Sequence, residues 1–533
     1  MDISASIRVV ARRAGFVAAS LLALAPSKVP AASLIDYFLP IPVVKQLTSN
    51  AWGSSGVLPR DQDNGVEDKA NKQWSYWDGR ILRAADGKYH MYVSRWSQSA
   101  GHNGWFGSVC VHTVSDTSPL GPYVDKGLCY NDENGKGHNV MVEQMNDGTY
   151  FLLVSETRRP ATVYTSKSLD GPWVKLGSLR FESNGFNIDV GNGSQLHSNT
   201  VVLPRPDGSF LSIAREGVVS LSTNGILGPY KVMTRSVFPV VPGLNNGFAE
   251  DPVIWRSGDK YHITVNWWDA KQARHVMSDD GIHDWKDMGV AYIPSRDFIK
   301  YTDGTVNHWT KIERPQVFLK DGHVTHFTFS VIDVEKDKDV GNDNHNSKVI
   351  VVPFDGKRFD QDFGWKPGAY LYRNYSYDGL AAHLPAGSYT RSQLVALGVK
   401  DNDISSMKLD SGVVVELFDD DDFRSPLGTL DADQPNFGNI GFNDKATSLR
   451  ISMASSSVHG DGIRATERLR ATAGAIEVPG GGSGVLQLVD PRGQVRLLPI
   501  ERGRADVRGI PAGVYRARRE GAREATQPVA ILP

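Results

Sequence analysis

The sequence predicts an all-β chain: a propeller of seven blades, with five as the alternative, followed by two smaller β-modules. Two repeated marks and a change of composition predict it. The first mark is a unit of polar residues, an apolar strand, a turn built on Gly or Asp-Gly, and a second strand. It occurs in "SYWDGRILRAADGKYHMYVSRW" from Ser75, "GKGHNVMVEQMNDGTYFLLVSE" from Gly135, "QLHSNTVVLPRPDGSFLSIARE" from Gln195, "FAEDPVIWRSGDKYHITVNWW" from Phe248 and "KIERPQVFLKDGHVTHFTFS" from Lys311. Aligned on Asp78, Asn139, Asn199, Asp251 and Arg314, the units stand 61, 60, 52 and 63 residues apart. A period of this length with about four strands per unit is that of propeller blades. The second mark is "SDTSPLGPY" ending at Tyr123, "SKSLDGPW" at Trp173, "STNGILGPY" at Tyr230 and "SDDGIHDW" at Trp285, the outer turns of successive blades.

Ahead of the repeats, Arg8, Arg12 and Arg13 precede an apolar run from Phe16 to Ala25 and the small residues Ala31-Ala32-Ser33. This is the layout of an export signal over 1–32. The run is too short to span a bilayer. The mature protein is therefore expected to be secreted, periplasmic or extracellular, and monomeric. Residues 33–380 hold the propeller, and at roughly 50 residues per blade they accommodate seven. The two cysteines, Cys110 and Cys129, lie in neighbouring strand-like stretches, where an oxidising compartment allows a cross-strand disulfide.

First strands of a propeller run beside its central channel, so the polar residues that open them converge on one funnel. They are Trp77-Asp78, His138-Asn139, His197-Ser198-Asn199, Glu250-Asp251 and Glu313-Arg314, with Arg95, Arg158 and Arg215 added from second strands. A ring of acids, amides and bases around one pocket suits a binding or catalytic site. Trp52, Tyr76, Trp77, Trp96, Trp105, Trp267 and Trp268 lie on the same units and suit stacking on sugar faces. With 58 basic and 60 acidic side chains the charge is balanced, which excludes the basic face of a nucleic-acid binder. A hydrolase would draw its two carboxylates from Asp78, Glu250, Asp251 and Glu313. A lyase acting on a uronic acid needs a base, a proton donor and a cation for the substrate carboxylate. Histidine and arginine supply those roles, and His138, Arg158, His197 and Arg215 dominate the central units.

"YWDG", "DGKYHMYVSRW", "GKGHNV" and "SDTSPLGPY" together resemble the seven-bladed propellers that act on L-rhamnose capping D-glucuronate in arabinogalactan and gum arabic. That group holds α-L-rhamnosidases and L-rhamnose-α-1,4-D-glucuronate lyases, and the resemblance covers about residues 35 to 380. It implies a secreted exo-acting enzyme on an acidic plant-type polysaccharide, without organic cofactor. For the lyases it implies His138 and His197 as base and acid, with Arg158 and Arg215 as neutralisers. The hydrolase branch resembles a site with a histidine close to the N-terminus. Here the first histidine is His90, so β-elimination releasing terminal rhamnose is the expected reaction. Hydrolysis on the same ring is the alternative, and sugar binding without catalysis the third.

After residue 380 the composition changes. "LPAGSYTRSQLVALGVKDNDISSMKLDSGVVVELFDDDDF" and "NIGFNDKATSLRIS" resemble a βγ-crystallin-type module over 381–455. Two stretches carry its oxygen-rich pattern: Asp401-Asn402 with Ser405, and Asn443-Asp444 with Thr447. Such loops suit calcium. "PGGGSG" from Pro479 to Gly484 reads as a linker or wide turn within 470–533. The strands beyond it alternate as a small β-sandwich that resembles C-terminal sorting or attachment modules.

Overall fold

A computed structural model describes residues 32–155 and 159–453, and from 470 onward 470–472, 475–477, 484–489, 495–501, 504–508, 510, 513–519 and 527–531. The export segment expected over 1–32 lies, save for Ala32, outside the described residues, as do Arg158 and most of "PGGGSG". The chain divides into two compact units, 1–453 and 454–533.

The fold of the first unit is all-β. Five successive antiparallel sheets follow the five repeated units. The first is Trp74–Arg83, Tyr89–Ser97, Val109–Ser115 and Val124–Leu128; the second is Val140–Gln144, Tyr150–Val154, Thr162–Ser166 and Val174–Ser178. The third runs Val201–Pro204, Phe210–Ile213, Val219–Ser222 and Tyr230–Val232, with Phe181–Glu182 added parallel to its last strand. The fourth is Ala249–Ser257, Lys260–Trp267, Gln272–Ser278 and Lys286–Tyr292, and the fifth Lys311–Lys320, His323–Ile332 and Ser347–Pro353. The turn marks fall between third and fourth strands, where Gly121, Gly171 and Gly228 take positive φ ahead of a proline.

The fifth sheet gains its outer edge from the start of the chain. Val66 and Val349 exchange backbone hydrogen bonds of 2.9 and 3.0 Å, and the Asn64 side chain bonds both backbone groups of Val351. Neighbouring sheets also meet along their first and second strands. The Asp78 amide donates to Ser330 Oγ on the second strand of the fifth sheet (2.7 Å), the Val140 amide to Asp78 Oδ2 on the first strand of the first sheet (3.2 Å), and the Thr200 amide to Ser155 Oγ, just past the second strand of the second sheet (3.1 Å). Apolar residues of the strands, such as Phe151, Leu211, Val253, Ile263, Phe327 and Val352, fill the space between sheets.

Seven blades are not shown. Among the described residues the span holds five sheets of three to five strands and a two-stranded ribbon, Leu47–Thr48 with Arg60–Asp61. The residues left over for two more blades do other work: Leu34–Tyr37 is a short 3-10 turn, and Gly356–Asp362 is a helix capped by Asp355 that lays Phe359 into the core.

Strand Gly368–Tyr372 pairs with Leu380–Pro385 and Ser406–Leu409, so one three-stranded sheet has strands on both sides of residue 380. A four-stranded sheet follows, in the order Gly387–Tyr389, Ser448–Met453, Val413–Phe418, Pro426–Leu430. Leu371, Val399, Met407, Val415, Phe437 and Leu449 form the core between the two sheets. In the second unit, the strands expected to make a sandwich belong to one seven-stranded antiparallel sheet from Arg470–Thr472 to Gln527–Ile531. Among the described residues no helix is long and apolar enough to cross a membrane.

Candidate functional site

The five alignment residues share one backbone feature. Asp78, Asn139, Asn199, Asp251 and Arg314 all take positive φ, between 50° and 65°. In the first, fourth and fifth sheets the strand register slips there, between Trp77 and Arg80, Glu250 and Val253, and Glu313 and Gln316. A left-handed residue at such a bulge re-aims its side chain and that of its predecessor. At four of the five positions both therefore reach the same cavity, about 560 Å³ in volume, while Asp78 lies fully buried outside its lining. Its wall includes Trp77, His138, Ser198, Glu250 and Glu313, each one residue ahead of a left-handed position.

The left-handed residues form a buried floor. Arg314 donates from Nε to Asp78 Oδ1 (2.7 Å) and from Nη1 to Asp251 Oδ1 (3.3 Å), and Asn199 Nδ2 donates to the same Asp251 oxygen (2.8 Å). Asn139 Nδ2 donates to the Ser155 carbonyl (2.9 Å). Asp78 is fully buried and also accepts from Ser94 Oγ. Burial alone pushes its carboxyl up, but the Arg314 guanidinium, His138 and the Ser94 hydroxyl outweigh this and hold it below the usual carboxylate range. Arg314 is raised in turn: burial disfavours its charge, and Asp78 and Asp251 more than restore it. A buried charge network with all partners present holds geometry.

The wall residues behave differently. Burial, with the neighbouring Asp251 adding, pushes the Glu250 carboxyl up to about 7 against the opposing Arg215, whose Nη1 lies 3.2 Å away. Glu313 is paired with Lys336, which also stands 5.3 Å over the Trp77 ring. Burial lowers His138 to about 4, so its imidazole is neutral at pH 7; Nδ1 lies 3.3 Å from Ser108 Oγ and the ring 4.7 Å from that of Trp105. His102 is lowered to about 3 by burial and then Lys336, and its ring meets the Trp77 ring edge-on at 5.1 Å. Trp105 and the exposed Phe106 are stacked at 3.9 Å beside the opening.

Two expected site residues are elsewhere. His197 belongs to the 3-10 turn Gln195–His197, capped by Ser194; it is buried against Phe181, with Nε2 3.3 Å from the Val190 carbonyl. Ser198, not His197, holds the wall position, because His197 stands two residues ahead of Asn199 while His138 stands one ahead of Asn139. Arg95 bonds Asp125 at 2.6 Å and lies over the Trp74 ring, outside the cavity. Of the aromatics, Trp77 and Trp105 line the cavity, while Trp52 and Trp96 are buried in packing. His102, Lys336 and Asp337 line the wall without belonging to the repeat. They sit on the loops after the second strands of the first and fifth sheets, and the repeat carries no signal for them. Cys110 and Cys129 are unbonded neighbours whose sulfurs stand 3.0 Å apart.

The second module places its two oxygen-rich loops side by side. Thr447 Oγ1 donates to Asn402 Oδ1 (3.3 Å) and Ser405 Oγ to Asp444 Oδ1 (3.5 Å), so each loop completes the other. The leading residue of both motifs keeps a buried oxygen without a hydrogen-bond partner: Asp401 Oδ1 and Asn443 Oδ1. Orphaned oxygens at equivalent places fit a hard cation.

No family model matches the chain. It is similar to development-specific protein S of Myxococcus xanthus, 35% identical over 81 residues, which are 15% of this chain and 46% of that protein. A homolog of protein S from the same organism is 31% identical over 112 residues, 21% of this chain and 56% of that protein. The chain thus spans about half the length of the curated relatives it matches. Among solved structures it is similar to a βγ-crystallin domain from Clostridium beijerinckii, with 33% identity, 16% of this chain, 95% of that chain and a TM-score of 0.15. Another such domain, from Flavobacterium johnsoniae, is 29% identical over 17% of this chain and 98% of its own, with a TM-score of 0.16.

Proposed function

We propose that the five sheets are the blades of a five-bladed β-propeller, and that its central cavity hydrolyses a glycosidic bond in an acidic polysaccharide. The contacts between successive first strands, the Val140–Asp78 hydrogen bond among them, and the Val66–Val349 pairing on the outer edge of the fifth sheet support the propeller. The chemistry rests on one observation above others: two carboxylates of the same wall stand in opposite environments. Glu250, with its pKa near 7, keeps a proton to give to a leaving oxygen. Glu313, beside the Lys336 ammonium, serves as base or nucleophile. A carboxyl kept protonated by burial beside another held by a cation lets one site supply both an acid and a base. Trp77 and Trp105 offer apolar faces to a sugar ring, and Arg215 and Lys336 suit an anionic substrate. Terminal rhamnose on glucuronate of arabinogalactan remains the substrate to try first, from the sequence motifs.

The neutral His138 favours a second reading, elimination. An unprotonated imidazole in the wall can take the proton at C5 of a uronate whose carboxylate is held by Arg215 or Lys336. Without His197 in the cavity, the two-histidine scheme for that reaction is not assembled. Incubation with gum arabic separates the readings: rhamnose without unsaturated-uronate absorbance is hydrolysis, and rhamnose with rising absorbance is elimination. If sugar binds and no product forms, the cavity is a binding site. For hydrolysis, Glu250→Gln and Glu313→Gln should each lower kcat by about 10²–10⁴-fold, and activity should fall as pH rises through about 7, where Glu250 gives up its proton.

The second module we read as βγ-crystallin-like, with Asp401, Asn402 and Thr447 at one calcium site and Asn443, Asp444 and Ser405 at the other. The crossed hydrogen bonds and the two orphaned oxygens support that reading. Its size matches the 81 residues shared with protein S.

A further inference from the structure

A pair of histidines recurs at one register in two sheets. In the first sheet His90 Nδ1 lies 2.8 Å from His112 Nε2, with the rings 13° from parallel. In the fourth, His262 Nδ1 lies 3.0 Å from His275 Nε2, with the rings at 21°. His90 is opposite Val114 and Tyr92 opposite His112; likewise His262 is opposite Met277 and Thr264 opposite His275. The two pairs are thus the same diagonal contact between second and third strands.

Their surroundings differ. The His262–His275 pair is sealed by aromatic rings: it stacks on Trp255 at 16° and 17° and meets Phe359, with Phe363 edge-on to His275. Both histidines are fully buried, and this pair is a core element. The His90–His112 pair instead faces Asp170, on the outer turn of the second sheet. Asp170 Oδ1 lies 3.9 Å from His90 Nδ1, and its side chain is 75% exposed. One donor atom from each of His90, His112 and Asp170 falls within 4.8 Å of the others. The turn that presents Asp170 is tied down, because the Tyr92 hydroxyl donates to the Leu169 carbonyl. In its neutral form each imidazole offers one nitrogen lone pair, its other nitrogen carrying the proton.

We propose that His90, His112 and Asp170 bind a transition-metal dication of the zinc class and so clasp the first sheet to the second. Two imidazoles and one carboxylate suit zinc, and three protein ligands leave a fourth position for water. A small opening of the His–His contact, from 2.8 Å toward the roughly 3.3 Å between two ligand atoms each ~2.05 Å from a tetrahedral ion, admits the metal. Asp170, being exposed, supplies the entry path. This site lies apart from the central cavity and from the oxygen-rich loops, and does not depend on the function proposed for either.

The test uses the full chain, stripped with a chelator and returned to excess calcium, so that oxygen-rich loops are occupied. Zinc alone is then titrated against a chromophoric competitor. The expected result is one tight equivalent in the unsubstituted protein, with Kd raised at least about tenfold in Asp170→Asn and in His112→Gln, and unchanged in His275→Gln. Asp170 is on the surface, so Asp170→Asn should keep the thermal transition of the parent, and the comparison does not hinge on a folding defect. A parent protein that retains no zinc, or an Asp170→Asn variant that binds with the parent's affinity, would overturn the proposal.

Discussion

Arg314, at a left-handed position of the fifth sheet, and Glu250, one residue ahead of such a position in the fourth, have opposite characters. Arg314 is 3% exposed and satisfied by two carboxylates at once; Glu250 is half-buried with a single guanidinium beside it. Removing Arg314 leaves Asp78 and Asp251 as uncompensated buried charges. Arg314→Ala should therefore cost about 3–5 kcal/mol of stability, readable in the denaturant midpoint. Glu250→Gln should leave that midpoint nearly unchanged while removing activity. The same distinction sets what a backbone change does. Asn139 sits at φ 51°, where asparagine is tolerated and a β-branched side chain is strained. Asn139→Val should cost about 1–3 kcal/mol, and Asn139→Gly much less, as measured by thermal unfolding.

At the scale of strands and loops, much of the architecture was legible in the sequence. The five polar pairs do lie on or just ahead of the first strands of five sheets, and the Gly-Pro marks between third and fourth strands. From sequence, seven units are preferred to the alternative of five because residues 33–73 and 354–367 look long enough for two more, and only three-dimensional pairing reveals that Asn64 and Val66 instead edge the fifth sheet. The site was legible in its residue types but not in its layering. Strict alternation would send Glu250 and Asp251 to opposite faces, and it takes the bulge to bring both to one cavity. His197 was misplaced for a related reason: counting back from Asn199 would have put Ser198 at the wall. Lys336 and His102 sit on loops between strands, where periodicity says nothing. In the crystallin-like module the paired loops were visible as two copies of one pattern, but not their crossing. That crossing has a measurable consequence. Calcium at 100 times its Kd should stabilise the protein by about 2.7 kcal/mol for each of the two sites, seen as a higher Tm than in chelator. Asp401→Ala with Asn443→Ala should abolish the difference.

Across the whole molecule, histidine burial sets the response to acid. His102, His112, His138, His262 and His326 all have pKa values depressed by burial, to between about 3 and about 4. An unfolded chain takes up these protons near pH 6.5 and the folded one does not, so stability should fall as pH drops from about 6.5 toward 4. Burial lowers His90, His197 and His275 as well, while Glu250 and Asp339, both raised to about 7, and Asp360, also raised, each with burial the first cause, act in the opposite sense. His345 and His383 are the exceptions among the histidines. Against the effect of burial, His345 is raised by Asp333 and His383 by Asp259 and Asp410, and so both contribute stability at low pH that is lost on the alkaline side of their usual value. Thermal melts between pH 4 and 7 would test the balance, and a Tm that rises on acidification would refute it. The pairing of Val66 with Val349 has a consequence in time as well as in space. These partners are separated by 349 − 66 = 283 residues, and at roughly 5–20 residues per second a ribosome needs roughly 15–60 s to deliver the second after the first. Throughout that interval the leading segment has no edge to join and stays open to chaperones, proteases or a neighbouring chain.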